Sequence, residues 1–204
     1  MRELREAKRQ WRERLRGRLA AIPPQERRAQ SAAICERVGE LAAFRRARVV
    51  LLYRPLPAEV DISPLWRESQ ARGSGVYFPR VQGNGQALQF VCVQPETHWA
   101  RGAMGVWEPT EGDPLLPAQL EGAVVIVPGL GFSPQGGRLG RGKGYYDRTL
   151  LASPIEGRGL RVGVAFREQL IDDLPVGRDD VSMHVVATAD RTCSDTRLAL
   201  FRAP

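Results

Sequence analysis

The spacing of apolar positions along this chain alternates between a helical and a strand period. At the start, Leu4, Ala7, Trp11, Leu15 and Leu19 recur at the interval of one helix face, and Pro23-Pro24 ends that helix. A second helix is expected over Gln25–Phe44, with Ala29, Ala33, Ile34, Val38 and Leu41 inward. From Arg48 the pattern shortens. Arg48–Tyr53 is a run of buried-strand type, closed by Pro55 and Pro57. A helix capped by Asp61 or Ser63 follows, through Leu65 and Trp66 to Arg72. Gly75–Arg80 and Ala87–Val93 read as strands, and Gln94–Gln119 as a long loop of the kind that covers a site. Ala123–Val127, Arg161–Phe166 and Val185–Ala189 read as three more strands, while the tail Asp190–Pro204 receives no assignment.

Helices alternating with short apolar strands predict an α/β fold: an open, mainly parallel sheet with flanking helices and an N-terminal helical extension. One domain over residues 1–204 is expected, with residues 1–46 as a helical segment packed on it. In such a sheet ligands gather beyond the strand C-termini. Glu59, shortly after the first strand, falls on that edge, as do Asp179 and Asp180 before the last.

The chemistry concentrates in one stretch on the same edge. Gly137–Asp147 reads Gly-Arg-Leu-Gly-Arg-Gly-Lys-Gly-Tyr-Tyr-Asp. Its glycines leave backbone N–H groups bare enough to close around an anion, and Arg138, Arg141 and Lys143 add positive charge. Lying between the strand-like run Ala123–Val127 and a helix-like run Tyr145–Leu151, the loop predicts a phosphate site. It satisfies neither common glycine motif. Gly144 stands where a P-loop needs Ser or Thr, and Tyr145 where a dinucleotide fingerprint needs glycine. Asp147, about one turn beyond Lys143, is the candidate that replaces the missing hydroxyl as a magnesium ligand.

Of the 30 basic residues only Lys8 and Lys143 are lysines, and Lys143 lies in the glycine loop, where a compact ammonium suits a phosphate. The net charge of +7 raises a nucleic-acid reading, with Arg5, Lys8, Arg9, Arg12 and Arg16 as its best footprint. Against it, basic residues are spread along the chain and interleaved with 23 acids; a small polyanionic ligand accounts for the sign equally well. Cys35, Cys92 and Cys193 have no metal-ligand spacing, and two histidines argue against a His-rich zinc site. No apolar run approaches membrane-span length, and Glu3, Glu6 and Glu13 argue against a transit peptide. A reduced cytoplasm is the expected setting, with no membrane or nucleic-acid partner and a monomer as the simplest assembly.

The segment Val127–Leu150, VPGLGFSPQGGRLGRGKGYYDRTL, resembles the signature of the 5-formyltetrahydrofolate cyclo-ligase (methenyltetrahydrofolate synthetase) family. Weaker similarities fall in the same order: Lys8 and Arg12 in the basic opening helix, Glu59 in PLPAEVDI, Gly105–Pro109 (GVWEP) and Leu174–Asp180. Four residues beyond Asp180, where the family usually carries an acid, this chain has His184.

The resemblance implies ATP- and Mg²⁺-dependent cyclisation of 5-formyltetrahydrofolate to 5,10-methenyltetrahydrofolate, with release of ADP and phosphate. It implies that Gly140, Arg141, Gly142, Lys143, Gly144, Tyr145 and Tyr146, with Arg138, Lys8 and Arg12, bind the nucleotide. Lys143 and Arg138 are the implied catalytic cations, and Asp147 and Asp180 the implied metal ligands. Glu59, Phe132, Tyr145 and Tyr146 are implied for the reduced folate, although Phe132 fits a core position equally well. An ATP-dependent enzyme of the same fold acting on another N-formyl or amide substrate stays open, because the phosphate side is better marked than the pteridine side.

Overall fold

In the computed structural model, which describes residues 2–83, 85–102, 105–151, 159–177 and 180–194, the chain opens with two helices. These are α1 (Arg2–Ala21) and α2 (Pro24–Gly39), turned by the expected proline pair. The second expected helix does not run on to Phe44. Glu40 N–H closes α2 on the Glu36 carbonyl, Leu41 is extended, and a short helix α3 (Ala42–Arg46) restarts. An unbroken helix would carry Phe44 about 120° off the face of Val38, six residues before it. The break lets both side chains reach full burial.

The remaining elements follow in chain order: β1 (Val49–Leu51), α4 (Ser63–Ala71), β2 (Gly75–Val81), β3 (Leu88–Cys92), β4 (Trp99–Arg101) and β5 (Trp107–Pro109). Then come β6 (Val124–Val127), β7 (Gly131–Phe132), β8 (Arg138–Leu139), α5 (Tyr145–Leu151), β9 (Leu160–Val164), β10 (Val185–Ala187) and β11 (Thr192–Ser194). Three expectations change here. The long loop over 94–119 contains the β4–β5 hairpin, anchored by Trp99 against Phe78 and Trp66 at ring-centre distances of 5.1 and 5.7 Å. The glycine loop does not follow its strand directly, because the β7–β8 hairpin stands between them. The unassigned tail adds β11 antiparallel to β10.

Seven strands form one sheet in the order β11-β10-β9-β6-β1-β2-β3. The five central strands are parallel, and β3 and β11 close the two edges antiparallel. Strands β1, β6 and β10 are apolar throughout because both faces are covered, whereas β9 and β2 each carry one arginine, Arg161 and Arg80. Val50, Val124, Ile126 and Val162 face α1 and α2 through Leu15, Leu19, Ile34 and Val38. Leu51, Val125, Val127 and Val186 pack with Phe132 and Leu150 on the other face.

From β1 the chain builds outward in one direction through β2, then returns to lay β6 on the opposite side of β1. Strand order therefore reverses at the β1–β6 pair, and such a reversal leaves a crevice outside the strand C-termini. The loops leaving β1 and β6 carry Glu59 and the glycine stretch. Among the described residues, no helix is long and apolar enough to cross a membrane.

Candidate functional site

The loop after β6 is held by its own hairpin. Leu130 N–H donates to the Leu139 carbonyl at 2.8 Å, which brings Arg138 under the start of the loop. Its guanidinium donates to the Pro128 carbonyl at 3.1 Å and to Asp147 Oδ1 at 2.7 Å. The Arg138 side chain is 3% exposed and that of Asp147 25%, so the arginine is the buried member of this pair. The Tyr146 ring completes the enclosure, 5.6 Å from the guanidinium carbon.

Beyond Leu139 the backbone is pinned from outside. Arg12 of α1 donates to the Gly140 carbonyl at 3.0 Å, and Arg148 of α5 to the Lys143 carbonyl at 2.7 Å. Gly142 and Gly144 adopt φ of 101° and 67°, the left-handed region that glycine enters without strain. Among the described residues, no acceptor takes the N–H groups of Gly140, Arg141, Gly142 or Gly144. A run of uncommitted donors flanked by Arg138, Arg141 and Lys143 is an anion cradle. The cradle belongs to the loop itself; the seven residues of α5 are too few for a strong macrodipole.

The facing wall is the loop after β1. Buried Tyr53 donates its hydroxyl to the Val60 carbonyl at 2.8 Å, and Glu59 Oε2 accepts the Leu56 N–H at 2.9 Å. These bonds aim Glu59 across the crevice, where Oε1 accepts from Arg141 Nε at 3.0 Å. With its side chain 9% exposed, Glu59 is no solvated loop acid. Burial pushes the Tyr53 phenol well above its usual pKa, with the charge of Glu59 adding to the effect. Tyr146 is raised chiefly by burial too, and its hydroxyl has no hydrogen-bond partner among the described residues.

Pro79, Val81, Leu88 and Val106 form an apolar third side, with Glu108 accepting the Val81 N–H at 3.1 Å. Together these walls enclose a cleft of about 860 Å³, partly open to solvent. Glu59, Arg138, Gly140, Arg141, Lys143, Gly144, Tyr145, Tyr146 and Asp147 all line it, so the structure gathers two sequence-distant loops around one space. Sequence reading missed Tyr53, Arg54 and Glu108, which also line it. The only local signal for them was their place beside motifs already noted, after the first strand and within GVWEP.

Two expected residues stand just behind the cradle. Arg12 touches the loop but not the cleft, while Lys8 forms an ion pair with Asp180. Asp180 Oδ2 also accepts the Gly177 N–H at 2.5 Å. Burial lowers the Arg12 pKa and nearby Arg16 adds to this, whereas Asp180 and Asp147 oppose it. Both acids are therefore within electrostatic reach of one guanidinium.

Phe132 is a correction. Its ring is 0% exposed and fills the space left by two glycines: a Cβ on Gly129 or Gly163 would lie 2.7 or 2.6 Å from it. It supports the hairpin from within the core and does not line the cleft. His184 is likewise structural. Arg161 N–H donates to its Nδ1 at 3.0 Å, tying β10 to β9 away from the cleft. Asp179 lies outside the described residues.

No group of three or more His, Cys, Asp or Glu side chains is gathered as a metal cage among the described residues. Magnesium does not need one, because it commonly binds through one or two carboxylates plus substrate phosphates. Asp147, beside the anion cradle and with a single oxygen engaged by Arg138, fits that kind of site.

The sequence profile of the 5-formyltetrahydrofolate cyclo-ligase family matches residues 4–189. The chain is similar to the mouse 5-formyltetrahydrofolate cyclo-ligase, 28% identical over 201 residues that cover 92% of this chain and 96% of the relative. A Mycolicibacterium smegmatis enzyme of the same name is 32% identical, over 82% of this chain and 90% of its own. Among solved structures, the fold matches Aquifex aeolicus 5,10-methenyltetrahydrofolate synthetase with a TM-score of 0.80 and 32% identity, covering 93% of each chain.

Proposed function

The chain belongs to the 5-formyltetrahydrofolate cyclo-ligase family, and from that premise we propose that its cleft performs the ATP-dependent closure of 5-formyltetrahydrofolate to 5,10-methenyltetrahydrofolate. The observation that carries this reading is the pairing, within one cleft, of an anion cradle with an apolar wall and a buried, inward-aimed Glu59. Nucleotide phosphates suit the first, and a flat amino-substituted ring suits the second.

A formamide carbon is a poor electrophile because the amide nitrogen feeds it electrons, and its oxygen is a poor leaving group. Transfer of the γ-phosphoryl group to that oxygen, with ADP departing, solves both problems by making an imidate-like phosphate. N10 then attacks the activated carbon, the C–O bond breaks, and phosphate leaves as N10 gives up its proton to water. The product is the five-membered methenyl ring. Phosphoryl transfer asks a protein mainly for positioning and charge neutralisation. Uncommitted N–H groups of Gly140, Arg141, Gly142 and Gly144 hold the phosphates in this reading. Arg138 and Lys143 neutralise charge at the transferring group, and Arg12 holds the loop in shape through the Gly140 carbonyl.

Glu59 accepts hydrogen bonds from the amino-pteridine, exchanging its contact with Arg141 for one to the ring. Arg141 is then released toward the phosphates, so substrate binding and phosphate binding reinforce each other. Tyr145 and Tyr146 supply flat apolar surface beside the same space. Magnesium would be held by Asp147, with Asp180 as the second carboxylate, and would supply further neutralisation of phosphate charge.

A heavy-oxygen label in the formyl group tests the route. The label should emerge in the released phosphate, one per turnover; product forming with unlabelled phosphate would rule out a phosphorylated formyl oxygen. Running other N-formyl compounds beside 5-formyltetrahydrofolate tests the substrate assignment.

A further inference from the structure

We propose that Arg54 determines substrate specificity by binding a carboxylate at the end of the cleft opposite the phosphate cradle. In a reduced folate that carboxylate is on the glutamyl tail, so the inference rests on the cyclo-ligase reading and deepens it.

Arg54 leaves the C-terminal end of β1 directly after buried Tyr53 and lines the cleft in a half-buried position. Its guanidinium carbon lies 4.8 Å from the ring centre of Trp99 and 5.5 Å from that of Trp66. Those two indoles pack with Phe78 in one cluster, with ring centres 4.9 to 5.7 Å apart. The guanidinium is thus fixed by aromatic faces, which hold it without using its N–H groups.

Among the described residues, Arg54 has no hydrogen bond and no carboxylate partner. The other arginines facing this cleft differ: Arg138 and Arg141 are each engaged by an acid. A planar fork of donors that faces the cleft and has no protein acceptor is open to one that a ligand supplies. Its geometry matches a carboxylate, which it can grip with two parallel hydrogen bonds.

Sheet order sets the direction. The cradle comes from the loop after β6, on one side of β1, whereas Trp66, Trp99 and Phe78 come from α4, β4 and β2 on the other. Leu56, Pro79, Val81 and Leu88 add apolar wall to the same cleft. A ligand that satisfies both ends is anionic at each, with a flat apolar body between. The reacting phosphoryl group, the pteridine and aminobenzoyl rings, and the glutamyl carboxylate have that order.

The test compares 5-formyltetrahydrofolate with its pteroate counterpart, which lacks the glutamate, on the full-length protein. Wild type should favour the glutamyl substrate in kcat/KM by about tenfold to hundredfold, the worth of one charge-assisted contact. Arg54→Met, which keeps the stem over the indoles, should bring that ratio close to one. Arg54→Lys should retain part of it, since the charge remains and the fork is lost. Equal losses for both substrates in Arg54→Met, or an unchanged ratio, would overturn the assignment. Binding of the two pteridines, followed by tryptophan fluorescence, separates this question from the reaction. A wild-type preference that disappears in Arg54→Met supports the contact even without turnover, in which case the cyclo-ligase reading alone fails; equal wild-type affinities overturn the contact.

Discussion

Arg138 and Asp147 meet across the glycine loop, Nη2 to Oδ1 at 2.7 Å, and the cation is the more deeply buried of the two. This asymmetry decides what each substitution does. Removing Arg138 leaves an acid that water can reach, while neutralising Asp147 leaves a guanidinium with only the Pro128 carbonyl and a buried, unpartnered Nε. Asp147→Asn should therefore cost about 2 kcal/mol in urea unfolding and exceed Arg138→Met, because an uncompensated buried charge is the larger penalty. Turnover should fall in both variants by about a hundredfold or more, the usual loss for one preorganised electrostatic contact.

The loop glycines should separate by mechanism. Gly142→Ala and Gly144→Ala place a Cβ at positive φ, which costs about 1–2 kcal/mol and distorts the donor run, so KM for ATP should rise. Gly140 is free of that strain, but its Cβ would lie 3.0 Å from Arg138 Nη1. Gly140→Ala should lower kcat through the displaced guanidinium with a smaller change in unfolding free energy. Steady-state kinetics on the three variants, with denaturant melts beside them, check the split.

Stability should fall on the alkaline side. Burial pushes the Cys35 thiol up to about 12, and raises the Tyr53 and Tyr146 phenols above their usual value as well. All three are held neutral by the fold. The unfolded chain gives up the thiol proton near 8.5 and the phenol protons near 10, so above those values it binds fewer protons than the folded one. The stabilisation is complete below about 8.5 and is lost progressively as pH rises toward the folded values. Melting temperature should decline between about pH 8.5 and 11, less steeply for Cys35→Ala. Cys35 should also resist alkylation at pH 8 in the native protein.

Phe132 should behave as core. Phe132→Ala is expected to cost about 3–5 kcal/mol, since the ring fills space that Gly129 and Gly163 leave open. Phe132→Leu should stay folded with an unchanged KM for the folate. A several-fold rise in that KM would show that the ring reaches the ligand.

Much of the fold was legible because its signals are local. The parallel strands are short apolar runs, the proline pair ends α1, and glycine spacing marks the cradle. What escaped depends on partners far along the chain. The β7 and β8 strands are two residues each, too short for any period, and exist because Leu130 and Leu139 bond across the turn. The α2–α3 break is set by where Phe44 must point, which no helical pattern carries. Phe132 adjoined a binding motif, yet the glycine that makes it a core residue, Gly163, is on β9. Arg54 had no motif of its own; the indoles that seat it lie 12 and 45 positions further along the chain.

In the proposed reaction this cleft closes the folate ring with hydrolysis of ATP to ADP and phosphate. Its most direct test follows absorbance at the methenyl-folate band while protein, 5-formyltetrahydrofolate and Mg²⁺ are mixed, with and without ATP. Absorbance should rise only when ATP is present, and the rise should be abolished in a folded Lys143→Ala variant. A flat trace from folded protein that binds ATP would contradict the proposed reaction.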